Sequence, residues 1–139
     1  MKRKFGALRD GLILCLSLVC AAALYLVWQL PVFPMGNGYT YYYGEHSSAE
    51  AQTTERFMLK PQGVKGESTV YDGRRTEELI ASYRATVLFT ETACGVVNYY
   101  CYSPCLSSGI ELCGAFVNLH IAESATQTAV GSPVIFGGF

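Results

Sequence analysis

The pattern of hydrophobic positions changes character once, near residue 30. Gly11 to Leu30 (GLILCLSLVCAAALYLVWQL) holds no charged residue, whereas the remainder breaks into short apolar runs separated by polar or glycine-containing stretches. Twenty residues rise about 30 Å as a helix, the thickness of a bilayer's hydrocarbon core, so residues 11–30 predict a membrane-crossing helix. Pro31, Pro34, Gly36 and Gly38 then predict a spacer over 31–38. GYTYYYG predicts an extended aromatic stretch with Tyr39, Tyr41 and Tyr43 on one side. Residues 44–54 (GEHSSAEAQTT) predict a loop, and ERFMLK, 55–60, a further strand.

From residue 66 the pattern predicts a strand, a helix, then four or five antiparallel strands. The helix starts near Asp72 or Thr76 as cap, with Glu77 and Glu78 at its positive end, Arg84 at its negative end, and Leu79, Ile80 and Tyr83 as its apolar stripe. ATVLFTET (85–92) and VVNYYCYS (96–103) predict a hairpin around Ala93, Cys94 and Gly95. A third strand spans Ile110 to Leu112, with Cys113 and Gly114 as its turn. FVNLHIAES (116–124) alternates, so Val117, Leu119 and Ile121 are expected on one face and Asn118 and His120 on the other. Pro133 opens a last strand carried by Val134 to Phe136, which ties down the end of the chain. The expected class is α+β, one helix packed on an antiparallel sheet, in a domain of residues 39–139.

Charge adds direction. Lys2, Arg3, Lys4 and Arg9 face one acid before the apolar segment, which keeps that flank cytoplasmic and the remainder outside the membrane. Ala21, Ala22 and Ala23 suit a signal peptidase, the competing reading of residues 1–30. The apolar run continues past them to Trp28, which favours an uncleaved anchor. Residues 31–139 carry six basic and ten acidic side chains, a net charge of −4, which excludes a nucleic-acid partner because such binding rests on phosphate neutralisation.

YYCYSP (99–104), VNLHIA (117–122) and VGSPVIFGGF (130–139) resemble the C-terminal half of the YwmB-type family, exported proteins of spore-forming Gram-positive bacteria. That family is named for a fold like that of the TATA-box-binding protein. The resemblance covers residues 66–139 and implies a helix on a curved antiparallel sheet in an envelope or sporulation setting, with no reaction attached. The family has two such halves, so here either residues 39–60 supply a reduced first half or the chain is a single unit. An isolated half leaves a sheet edge open, which implies a homodimer or an envelope protein covering it.

Candidate chemistry is thin. Cys15 and Cys20 lie in the apolar segment, while the exported Cys94, Cys101, Cys105 and Cys113 permit disulfides. Cys101 with Cys105, or Cys105 with Cys113, closes more easily than Cys94 with Cys101, and free thiols are the alternative. Cys101 and Cys105 also have zinc-ligand spacing, with His46 and His120 to complete a set, but the second closely spaced pair is missing. No cofactor is therefore expected. His120, Asn118 and a cysteine are the components of a thiol hydrolase without a motif that marks the nucleophile. Tyr100 and Tyr102, with Asn118 and His120, offer a binding face, against which stands plain cross-strand packing. The sequence predicts a membrane-anchored, extracytoplasmic binding or scaffolding module without catalytic activity. A small thiol- or zinc-dependent envelope enzyme using Cys101 or Cys105 with His120 is the second reading.

Overall fold

A computed structural model describes residues 2–44, 50–55 and 58–136. The chain forms two units, Met1–Leu30 and Pro31–Phe139. The first is a helix, α1 (Lys2–Trp28), in which Leu8–Trp28 has a mean hydropathy of 2.4 and is long and apolar enough to cross a membrane. Leu8 to Trp28 are exposed along the whole helix.

The second unit is α+β. Its elements are β1 (Tyr39–Tyr42), β2 (Ala51–Thr54), β3 (Gly66–Asp72), α2 (Thr76–Ser82), β4 (Thr86–Ala93) and β5 (Val96–Tyr102), then β6 (Ile110–Leu112), β7 (Ala115–Val117), β8 (Leu119–Glu123) and β9 (Gln127–Ser132). Seven strands form one antiparallel sheet in the order β2-β1-β3-β9-β8-β5-β4, and β6 pairs with β7 in a separate hairpin. Residues 39–54 thus add two strands to the same sheet. The β4–β5 and β6–β7 connections are two-residue turns, Cys94–Gly95 and Cys113–Gly114, with φ of 54° and 81° in one and 52° and 75° in the other. Two successive left-handed residues give the turn whose twist matches that of the strands it joins.

The structure corrects several expectations. Met58–Lys60 is not a strand, while Arg56 and Phe57 lie outside the described residues; the strand is instead β2, in the stretch expected to be loop. Asp72 ends β3, and the helix is preceded by Arg75, whose side chain makes no capping bond. Arg84 lies beyond the last turn, left-handed at φ 49°; its N–H bonds to Ala81 O (3.2 Å) and that of Ala85 to Ile80 O (2.9 Å), which closes the helix in a Schellman motif. The final strand is β9, and it stops at Pro133. A central strand flanked by β3 and β8 has no place for a residue without an N–H.

Each face of the sheet has its own core. On one, Leu79, Ile80 and Tyr83 of α2 pack over Cys101, Leu119, Ile121 and Val130. The expected spacer belongs to this core: Phe33 is fully buried and meets the Tyr83 ring edge-on at 5.4 Å. The buried Glu67 on β3 holds that segment, because its Oε1 accepts the N–H groups of Val32 (2.5 Å) and Phe33 (3.3 Å) while Oε2 pairs with Lys60 Nζ at 2.8 Å. On the opposite face Tyr42, Val117, Val134 and Phe136 pack with Phe89, Tyr100, Ile110 and Leu112. Phe33→Ala is expected to cost about 3–5 kcal/mol, the usual range for emptying a buried aromatic site. Chemical denaturation of the full chain in detergent checks it, and a midpoint equal to that of the parent would return residues 31–38 to the role of a spacer.

Candidate functional site

Of the side chains singled out in the sequence, the face opposite α2 brings Tyr100 and His120 together. Cross-strand pairing sets Tyr100 of β5 beside His120 of β8, and His120 beside Gly131 of β9. Phe89, Tyr100 and His120 stack across three strands, with ring centroids 4.6 and 4.5 Å apart and interplanar angles of 19° and 11°. Tyr100 donates to Glu91 Oε2 (3.4 Å), and burial, then the Glu91 charge, raises its pKa.

His120 is buried and uses both ring nitrogens. Nδ1 accepts the backbone N–H of Ile135 (3.2 Å), so the proton sits on Nε2, which donates to Asn98 Oδ1 (3.0 Å). Burial lowers its pKa to about 4, since the imidazolium would be desolvated. Ile135 belongs to the segment after β9, which turns back across the sheet instead of extending it. Gly131 permits that path, because a Cβ there would fall 2.8 Å from Ile135 Cγ1 and 3.1 Å from Ile135 N. An open cavity of about 240 Å³ beside this segment is lined by Cys94, Asn98, His120, Ala122 and Ile135 among others.

Asn118 is not on this face. It is fully buried at the break between β7 and β8, where Oδ1 accepts from Ser103 N (2.6 Å) and Nδ2 donates to Ser103 O (2.7 Å) and Leu106 O (2.9 Å). That break ends the alternation expected through 116–124. Val117 packs on the Tyr100 side, while Leu119 and Ile121 pack under α2. Of the expected binding face, Tyr100 and His120 are brought together, Asn118 is removed, and Tyr102 stands exposed at 6.3 Å from the Phe116 ring. Tyr39, Tyr41 and Tyr42 are buried packing residues, Tyr42 against Phe136 at 5.4 Å.

All six cysteines are free thiols, and neither Cys101–Cys105 nor Cys105–Cys113 is joined. Cys101 is fully buried beneath α2, and burial raises its pKa to about 11, which keeps it a protonated thiol. It neighbours Tyr100 in β5, so strand alternation turns it to the face opposite His120. Cys105 follows Ser103, whose hydroxyl bonds to Tyr83 O, also on the α2 side. Neither thiol therefore meets His120 as nucleophile and base. His46 lies outside the described residues, and among those described no group of three or more His, Cys, Asp or Glu side chains is placed to hold a metal.

Two further features escaped sequence reasoning. Glu123 of β8 and Thr128 of β9 serve the start of α2: Glu123 accepts from Arg74 Nε (2.7 Å) and Thr76 N (3.4 Å), and Thr128 Oγ1 accepts from Arg75 N (3.0 Å). The other is which strands stand at the edges: β2 ends the sheet on one side, and β4 ends it on the other with no neighbour on its outer side among the described residues. Val87 and Leu88 on it are exposed, as are Tyr102 and Phe116 nearby.

Asn118→Ala leaves Ser103 N–H buried without its acceptor and should destabilise the fold by about 2–3 kcal/mol, read from denaturant midpoints. Alkylation of the native chain should modify Cys94, Cys105 and Cys113 and spare Cys101 until denaturant is added; early modification of Cys101 would refute its burial. Comparisons with protein-family models, curated proteins and solved structures found no match for this chain.

Proposed function

We propose that this chain is a non-catalytic binding or scaffolding module of the bacterial cell envelope, held at the outer face of the membrane by α1 and working through the open edge of its sheet. The observation that carries this reading is β4, eight residues long and, among the described residues, unpartnered on its outer side. Such an edge presents unpaired N–H and C=O groups to an incoming strand. A bulge between Val87 and Phe89 interrupts its register, which leaves Phe89 to Ala93 as the regular stretch. Of the devices that keep an edge from pairing, lysine, proline, several charges or a bulge, β4 has the bulge near its start, while Phe89 to Ala93 carries only Glu91. Exposed Val87, Leu88, Tyr102 and Phe116 supply apolar area around it.

The basic N-terminal end of α1 supports an outward orientation, and the net charge of −4 over residues 31–139 supports a protein rather than a polyanion as partner. The resemblance to the YwmB-type family supports a TATA-box-binding-protein-like half in a sporulation setting, its open edge covered by a second copy or by another envelope protein. The separation of Cys101 from His120 by the sheet weighs against thiol chemistry.

A photo-crosslinking amino acid at Thr90 in the full-length chain, expressed in its membrane, is expected to trap one discrete higher-mass species. Leu88→Lys should abolish that species while changing stability by no more than about 0.5 kcal/mol, as for other exposed positions. Crosslinks that survive both Leu88→Lys and Val87→Lys would remove β4 as the contact.

A further inference from the structure

We propose that Pro133 to Phe136 form a proton-released strap: protonation of His120 detaches this segment from the sheet face it covers and uncovers the stacked rings of Phe89, Tyr100 and His120. The strap is not a strand, so it has no ladder of backbone bonds to the sheet. Among the described residues its one hydrogen bond to a side chain of the sheet is Ile135 N–H to His120 Nδ1. Its other attachments are apolar, Val134 and Phe136 against Tyr42 and Val117. Protonation at Nδ1 turns that acceptor into a donor, and two N–H groups then face each other at a distance of 3.2 Å between their nitrogens. Separation of the strap from the ring relieves this repulsion without giving up the Nε2–H bond to Asn98.

The surroundings do nothing to offset this. The ring's second nitrogen is already committed as a donor to Asn98 Oδ1. From β5 the titratable group facing His120 is the Tyr100 phenol, from the β4–β5 turn the Cys94 thiol at the cavity mouth, and β9 presents Gly131. Glu91 on β4 is bonded to the Tyr100 hydroxyl rather than to the imidazole, and Cys113 in the β6–β7 turn acts on Tyr100. Among the described residues no carboxylate is bonded to the imidazole that would stabilise its charged form.

The sign follows from linkage. With the strap closed His120 is buried, and burial lowers its pKa to about 4, below the ordinary 6.5, so the closed state binds fewer protons and acid favours the open one. Opening begins as pH falls through 6.5 and levels off near 4. If release restores the ordinary value, the open-to-closed ratio rises about sixty-fold between pH 7 and pH 4.5.

Amide hydrogen exchange on the full chain in detergent micelles, each rate divided by its intrinsic rate at that pH, tests this. Protection of Ile135 should fall about sixty-fold from pH 7 to pH 4.5 while Ile121 and Val130 in β8 and β9 keep theirs. In His120→Phe, which retains a ring but no acceptor, Ile135 should be poorly protected at both pH values. Gly131→Ala, which thrusts a methyl into the strap, should give the same pH-independent loss with the imidazole intact. An Ile135 amide equally protected at both pH values overturns the proposal. So does a loss of protection shared with Ile121 and Val130, because that is acid unfolding of the whole sheet.

Discussion

A seven-stranded sheet has two broad faces to remove from water, and beyond α1 the described chain owns a single seven-residue helix with which to do it. The rest of the cover is the β6–β7 hairpin and irregular chain, and irregular chain brings N–H and C=O groups that cannot be buried unpaired. The sheet answers with polar side chains placed among its apolar ones. Glu67 takes the N–H groups of Val32 and Phe33, Asn118 takes the Ser103–Leu106 turn, and Glu123 and Thr128 take the start of α2. His120 takes the returning tail. Buried polar residues in this protein are therefore fasteners for its covering segments.

The fasteners differ in strength. Glu67 is a carboxylate with a cation on its other oxygen, and charge-assisted bonds are the stronger kind. His120 is neutral and offers one lone pair to one amide. The segment it holds is thus the most readily released of the covers, while Phe33 and its neighbours are bound into the α2 core. The same division explains why Asn118 and His120, equally suggestive as residue types, end in different roles. One is locked within a turn, and the other sits where the chain end reaches it.

Features set by local periodicity were legible in advance. The uncharged stretch before Leu30, the hairpin turned at Cys94–Gly95, the β6–β7 turn at Cys113–Gly114 and the short helix with Leu79 and Ile80 inward all appear where their patterns put them. AQTT and QTAVGS carried no such signal, yet they form β2 and β9. They are strands because their neighbours are: β2 completes pairing with β1, and β9 fills the slot between β3 and β8. The apolar VIF run misled for the converse reason. It is apolar because it lies on a sheet, a need that strand and strap share.

Read along the chain, the residues already imposed a helix of membrane-crossing length, an antiparallel α+β domain and a net charge of −4 over residues 31–139, because each depends on composition or on contacts between near neighbours. Which thiol faces which ring, which segment lies over which face and which strand is left at the edge arise from pairings between residues far apart in sequence. A break at Asn118 moves Leu119 to the other side of the sheet, and a proline at 133 sends the chain back over Gly131. Side-chain direction in a strand reverses with every single-residue slip, so no pattern read locally can fix it across such breaks.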